Sequence, residues 1–218
     1  MVNLRSHTTR LGVLDIGSNT IHMLIVDAAP GARPDPEAST KSTVRLMKYL
    51  KDDGSIKKSG IEAILEAVSQ CMRLAEEYEI TQLLVMATSA LREAPNGNKV
   101  IHKIEELIGQ GVTVLSGTDE ARLCGAVMRA PGREDSWIMT REQLEDWIPR
   151  LAAIAPEQRV ALPGITPERT MQIVGGGVVA DEIMKALNIQ EVEICPWALR
   201  EGAILRWLDQ FGRTRLGF

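Results

Sequence analysis

Apolar and polar positions divide this chain into strand-length runs near its start and longer, helix-period stretches beyond. Leu11 to Ile16 and Ile21 to Val26 are nearly continuous apolar runs, separated only by Gly17, Ser18, Asn19 and Thr20. Two strands joined this tightly predict a hairpin. Residues 28–40 carry Pro30, Gly31, Pro34 and Pro36 and read as an exposed connection. Val44 to Leu50 alternates basic and apolar residues around Arg45, Lys48 and Lys51, which predicts a third strand before the turn Asp52-Asp53-Gly54-Ser55. Ile61, Ile64, Leu65, Val68, Cys71, Met72 and Ala75 then share one helical face, and Ser59 and Glu62 have capping-box spacing ahead of it.

Gln82 to Ala87 predicts a buried strand that stops at Thr88-Ser89-Ala90-Leu91-Arg92. Small hydroxylated residues there lie at a strand's carboxyl end, where open α/β sheets bind ligands. A helix follows from Gly97 or Asn98 to Ile108, closed by Gly109 and Gly111. Val112 to Leu115 predicts a short strand, and Ser116 to Leu123 turns into a helix. A hairpin-led sheet that continues through crossover helices is a ribonuclease-H-like α/β layout.

The texture changes at Ala130 to Ser136, a polar, turn-rich break, and the segments beyond read as mainly helical. Thr140 and Gln143 have capping-box spacing ahead of Leu144, Trp147, Ile148 and Leu151. Thr166 before Pro167 reads as a cap with proline at the first helical position. Gly175-Gly176-Gly177 reads as a break between two helices, Glu191 to Cys195 as a last strand, and Leu199 to Leu208 as an amphipathic helix. A boundary near 128–139 leaves an N-terminal lobe over 1–128 and a second, partial lobe over 139–218.

Composition narrows the classes. Of 218 residues 44% are hydrophobic, enough for one large core or two modest ones. No apolar run approaches the ~20 residues of a membrane span, and the first ten residues lack the apolar centre of a secretory signal. A cytoplasmic location is the expectation. Cys71, Cys124 and Cys195 are far apart, which suggests neither a zinc site nor a disulfide framework. A net charge of -4 argues against a general nucleic-acid binder, so phosphate chemistry would need a focused site.

One such site is suggested by Asp15, a carboxylate on an apolar strand followed by small residues whose N–H groups can face an anion. An ordinary hairpin turn with Gly and Asn explains the same residues. Asp119 and Glu120 after Thr118 suit either catalysis or a helix start, where the dipole favours acids. Arg122 suits pairing with a local acid, Arg45 and Lys48 suit substrate or solvent, and His22 suits a core position.

Five segments, taken together and in order, resemble the exopolyphosphatase and guanosine-pentaphosphate phosphohydrolase family, in particular its short actinobacterial exopolyphosphatases. They are Leu14 to Thr20, Val44 to Leu46, Ala87 to Arg92, Ser116 to Leu123 and Pro196 to Gly202. The resemblance implies the fold of the sugar kinase, chaperone and actin superfamily, in which two ribonuclease-H-like lobes clamp a phosphorylated ligand between two phosphate loops. It implies that Asp15 helps hold magnesium or manganese, and that Gly17, Ser18, Asn19 and Thr20 form the first loop. Arg45, Ser89 and Arg92 would bind substrate, and Glu120 would be the general base. Inorganic polyphosphate or guanosine pentaphosphate would be the substrate, and the chain a homodimer.

The sequence also departs from the family. The second phosphate loop, a strand ending in Asp-Ile-Gly-Gly-Gly-Ser, should follow the Glu-Ala-Arg-Leu helix and is absent. A stretch on the order of a hundred residues, the size of a small domain, is missing there. Gly175 to Gly177 lacks the flanking Asp and Ser that would make it a substitute. The second lobe is therefore expected as a mostly helical remnant.

Overall fold

The computed structural model describes residues 8–29, 35–127, 137–167, 169–195 and 197–216. They form two compact units, one built from 1–132 together with 197–218, the other from 133–196.

In the first unit β1 (Thr9–Ile16) and β2 (Thr20–Ala28) make the expected hairpin, in register from Thr9 opposite Ala28 to Ile16 opposite Ile21. The third strand is not at Val44 to Leu50. It is β3 (Pro36–Thr43), antiparallel to β2 within what reads as a connection. As an edge strand of Ser and Thr it has no apolar face, and its proline is the first residue, where no ladder bond is lost. Val44 and Leu46 are buried as the alternation requires, but Arg45 adopts φ 55 and turns the chain into a 3-10 helix over Leu46–Tyr49.

Helix α1 (Lys58–Glu77) has Lys57 at its N-cap and no side-chain cap bond, so the Ser59–Glu62 spacing is not a capping box. Strand β4 (Gln82–Ala87) is parallel to β1, α2 (Ser89–Glu93) is one short turn, and α3 (Gly97–Ile108) ends on Gly109 at φ 73. Strand β5 (Thr113–Val114) pairs parallel with β4, and α4 (Gly117–Val127) follows. The sheet order β3-β2-β1-β4-β5 is the ribonuclease-H-like arrangement.

Both sheet faces are covered. Ile64, Val68 and Cys71 of α1 and Val100 and Ile104 of α3 pack with Leu14, Ile16, Met23 and Val85 on one face. On the other, Leu11, Val13, Leu24, Val26 and Met86 meet Leu123 of α4 and Ala203 and Ile204 of α7 (Leu199–Leu216). The terminal helix thus belongs with the first unit, although the sequence reading assigned 139–218 to one partial lobe. Gly202 makes the contact close: a Cβ there would lie 2.0 Å from the Leu123 carbonyl oxygen.

The second unit pairs β6 (Trp137–Thr140) antiparallel with β7 (Glu191–Ile194). A four-residue strand carries too little alternation to be seen in the sequence, and β6 falls where only helix was expected. Thr140 caps α5 (Arg141–Ala153) through the predicted box, accepting from Gln143 N at 3.2 Å while its own N–H donates to Gln143 Oε1 at 2.9 Å. Thr166-Pro167 does not start a helix; Thr166 O accepts from Arg169 N in a turn, after Gly164 at φ 81. Helix α6 (Ile173–Ala186) runs straight through the three glycines, so the expected break between helices is absent. Its neighbour α5 supports it, and a Cβ on Gly177 would come 3.0 Å from Ile148 Cγ1. The turn-rich break at 130–136 lies outside the described residues.

Candidate active site

Three segments reach the carboxyl edge of the parallel strands together. Ile16 and Ala87 are partners at the ends of β1 and β4; Thr88 N donates to Ile16 O, and Leu115 N donates to Ala87 O. Residues 17–20, 88–92 and 116–120 therefore open at one edge, where ligands bind in open α/β sheets.

The first loop is held from behind. Val44 N and Arg45 N both donate to Asn19 O, and Leu46 N donates to Ser18 O, at 2.9, 2.9 and 2.8 Å. These bonds explain why Arg45 is kept in the left-handed region, a conformation costly for a residue with a side chain. The Gly17 N–H is spent on Thr20 O at 3.0 Å, as in any hairpin turn. Thr88 is buried at the start of α2, and Ser89 is half-buried beside it.

Two ion pairs occupy the edge. Arg92, from α2, donates from Nη1 to Glu120 Oε1 at 2.7 Å and to the Leu115 carbonyl, while its Nη2 lies 3.3 Å from Glu93. Each member of the Arg92–Glu120 pair keeps about a third of its side chain exposed, 31% and 32%. Deeper in, Arg200 Nη1 lies 3.2 Å from Asp15 Oδ2. Burial pushes the Asp15 carboxyl up, the Arg200 charge and hydrogen bond pull it back, and Glu120 and Glu201 push it up again. Asp15 therefore feels the Glu120 charge, and the two pairs form one electrostatic cluster.

His22 faces Asp15 across the hairpin. It is half-buried rather than a core residue, and burial, Arg200 and Lys41 lower its pKa to about 4. Its imidazole is neutral at pH 7. Asp119 is occupied with helix starting: its Oδ2 accepts from Ser116 Oγ at 2.6 Å, which holds its carboxyl low, and Arg122 pairs with it at 3.8 Å.

The structure thus gathers Asp15, the 17–20 loop, Arg45, Ser89, Arg92 and Glu120 in one unit. Sequence reasoning missed the partner of Asp15. Arg200 lies in a segment quoted only for its likeness, and no local spacing links it to a residue 185 positions away. The Asp15 carboxylate is engaged by a guanidinium, and no group of three His, Cys, Asp or Glu converges among the described residues, so the protein by itself offers a divalent ion at most a sparse set of donors there.

Comparison with known proteins places the chain in a family. The Ppx/GppA phosphatase family matches in two stretches, residues 24–139 and 126–211. Exopolyphosphatase 1 of Mycobacterium leprae is 30% identical over 304 aligned positions, spanning 92% of this chain and 90% of the relative. Exopolyphosphatase 1 of Mycobacterium tuberculosis is also 30% identical, spanning 92% of this chain and 88% of its own. An alignment of 304 positions against a chain of 218 places many residues of the relative opposite a gap. Among solved structures, an exopolyphosphatase from Cytophaga hutchinsonii superimposes with a TM-score of 0.80 at 17% identity, over 93% of this chain and 98% of that one. A family member from Aquifex aeolicus does so with a TM-score of 0.75 at 14% identity, over 93% and 98%. These two likenesses carry the fold, and the mycobacterial relatives carry the family. The chain belongs to the Ppx/GppA phosphatase family.

Proposed function

We propose that this protein hydrolyses the terminal phosphoanhydride bond of inorganic polyphosphate, with Glu120 as the base that orients and deprotonates the attacking water. Membership of a phosphatase family supports the reaction class, and the mycobacterial exopolyphosphatases support the substrate. The observation that carries the reading is the 2.7 Å Arg92–Glu120 pair at the carboxyl edge of β1, β4 and β5, beside the 17–20 loop.

Phosphoryl transfer to water asks little covalent work of a protein; it needs positioned charge and a positioned base. A carboxylate bridged to Arg92 is not free to take a proton. Phosphate oxygens compete well for a guanidinium, since both can pair bidentately. Substrate arriving at the edge draws Arg92 onto its terminal phosphate, and Glu120 is released to water at the moment the substrate is in place. Ser18, Asn19 and Thr20 line the loop that receives the anion, and Arg45 and Ser89 flank it.

The test is phosphate release from long-chain polyphosphate by the pure chain, with guanosine pentaphosphate as the second substrate. Glu120→Gln keeps size and hydrogen bonding but cannot accept the proton, and a general base is worth about 100- to 10,000-fold. A loss in that range with substrate binding retained is expected. Release that survives the substitution removes Glu120 as the base, and thermal stabilisation by polyphosphate without turnover in the unmodified chain makes the site a sensor.

A further inference from the structure

We propose that the cation resident at Asp15 is the guanidinium of Arg200, and that it fixes the charge of the phosphate loop in place of a protein-bound divalent ion. The inference rests on reading residues 15–20 as a phosphate site. Arg200 reaches Asp15 from the first turn of α7, with Nη1 3.2 Å from Oδ2 and the two side chains only 23% and 17% exposed. The approach is built in. Gly202, two residues on, lets α7 lie against the α4 backbone so tightly that any Cβ would clash with Leu123. That contact ties the start of α7 to the helix carrying Glu120.

Magnesium takes one or two carboxylates and completes its shell with water and phosphate, so a site built by the ligand-free protein needs a carboxylate with charge to spare. Glu120 is given to Arg92, and Glu201 Oε2 accepts the Ala198 N–H at 2.8 Å. His22 offers a neutral nitrogen opposite Asp15, where the charges of Arg200 and Lys41 are opposed by that of Glu201. Asp15 is thus a seat for Arg200.

The guanidinium is also under-used by the protein. Its Nε–H is buried without a hydrogen-bond partner among the described residues. The large majority of buried side-chain donors are satisfied, so this one stands out. Arg200 is held against Asp15 at the end of β1 and acts through it as a positioning residue for the loop. Magnesium in the reaction then arrives with polyphosphate as its counter-ion.

Two titrations of the full chain test this. Manganese binding to the ligand-free protein is followed by electron paramagnetic resonance, and tripolyphosphate binding is followed by calorimetry in EDTA and in magnesium. The expected result is no stoichiometric manganese site, and tripolyphosphate binding in EDTA that falls at least about 30-fold in Arg200→Met. Arg200→Lys, which keeps the charge, should recover most of that loss, a rescue that a packing role would not give. A one-to-one manganese site abolished by Asp15→Asn, or tripolyphosphate binding that requires magnesium, overturns the inference while leaving the phosphate reading intact. So does Arg200→Met binding as tightly as the unmodified chain. Absence of tripolyphosphate binding under both conditions overturns both. If Arg200→Met fails to fold by its thermal transition, the two titrations of the unmodified chain still decide.

Discussion

His22 reports on the charge gathered at the mouth of the hairpin. Its pKa falls to about 4 because burial, Arg200 and Lys41 disfavour the imidazolium, with Glu201 opposing them. Between pH 4 and the ordinary value of 6.5 the unfolded chain binds a proton that the folded chain refuses. Stability therefore rises with pH through that window and is lost as the pH falls from 6.5 towards 4. A shift of this size corresponds to about 3 kcal/mol, and partial exposure of the ring reduces it to about 1–2 kcal/mol. His22→Gln should flatten the acid limb of stability by that amount in urea melts at pH 7, 5.5 and 4.5. An unchanged slope would show that His22 is not the group responsible. The residue scale is also where the sequence was most and least legible. Asp15, Arg92 and Glu120 stand in short segments with recognisable order, but which cation faces which anion depends on α7 returning to β1. Nothing along the chain encodes that return.

Helix α6 is an element whose sequence argues against it. Three consecutive glycines cost a helix about 1 kcal/mol each relative to alanine, yet the helix continues through them. The three are not equivalent. Gly177 faces α5, with a Cβ position 3.0 Å from Ile148 Cγ1, whereas Gly175 and Gly176 have nothing within 4 Å of theirs. Gly175→Ala and Gly176→Ala should therefore each stabilise the second unit by up to about 1 kcal/mol, read as a higher urea midpoint by circular dichroism. Gly177→Ala gains nothing, because Ile148 must give way. Destabilisation by all three would mean that the glycines adopt a backbone only they tolerate, and the helix would be broken there. The other elements show why some were legible. α1, α3 and β4 bury a long face or a full run, and their periodicity survives in the sequence. β3 and β6 lie at the edge of a sheet or in a two-stranded one, bury little, and carry no pattern.

At the scale of the molecule, the first unit is discontinuous: its last helix arrives after the whole of the second unit has been traversed. That helix covers, together with α4, the sheet face opposite α1 and α3. Ala203 and Ile204 are buried against Leu11, Val13, Leu24 and Val26, with Leu199, Trp207 and Leu208 packed around them. Removing such anchors costs about 1.5–3 kcal/mol for each fully buried side chain. The group together is worth about 5–10 kcal/mol, comparable with the whole net stability of a domain, about 5–15 kcal/mol. A chain ending at residue 196 should therefore lose the first unit cooperatively, β1 and β2 included, although all five strands of its sheet remain in the sequence. Hydrogen exchange over residues 11–16 and 20–28 reads this directly, since their amides are protected in the full chain by ladder bonds within a covered sheet. In the shortened chain they should exchange at the rate of an unfolded segment. Protection that persists would mean that α1 and α3 alone suffice to hold the sheet. The terminal helix would then serve the site through Arg200 without being needed for the fold.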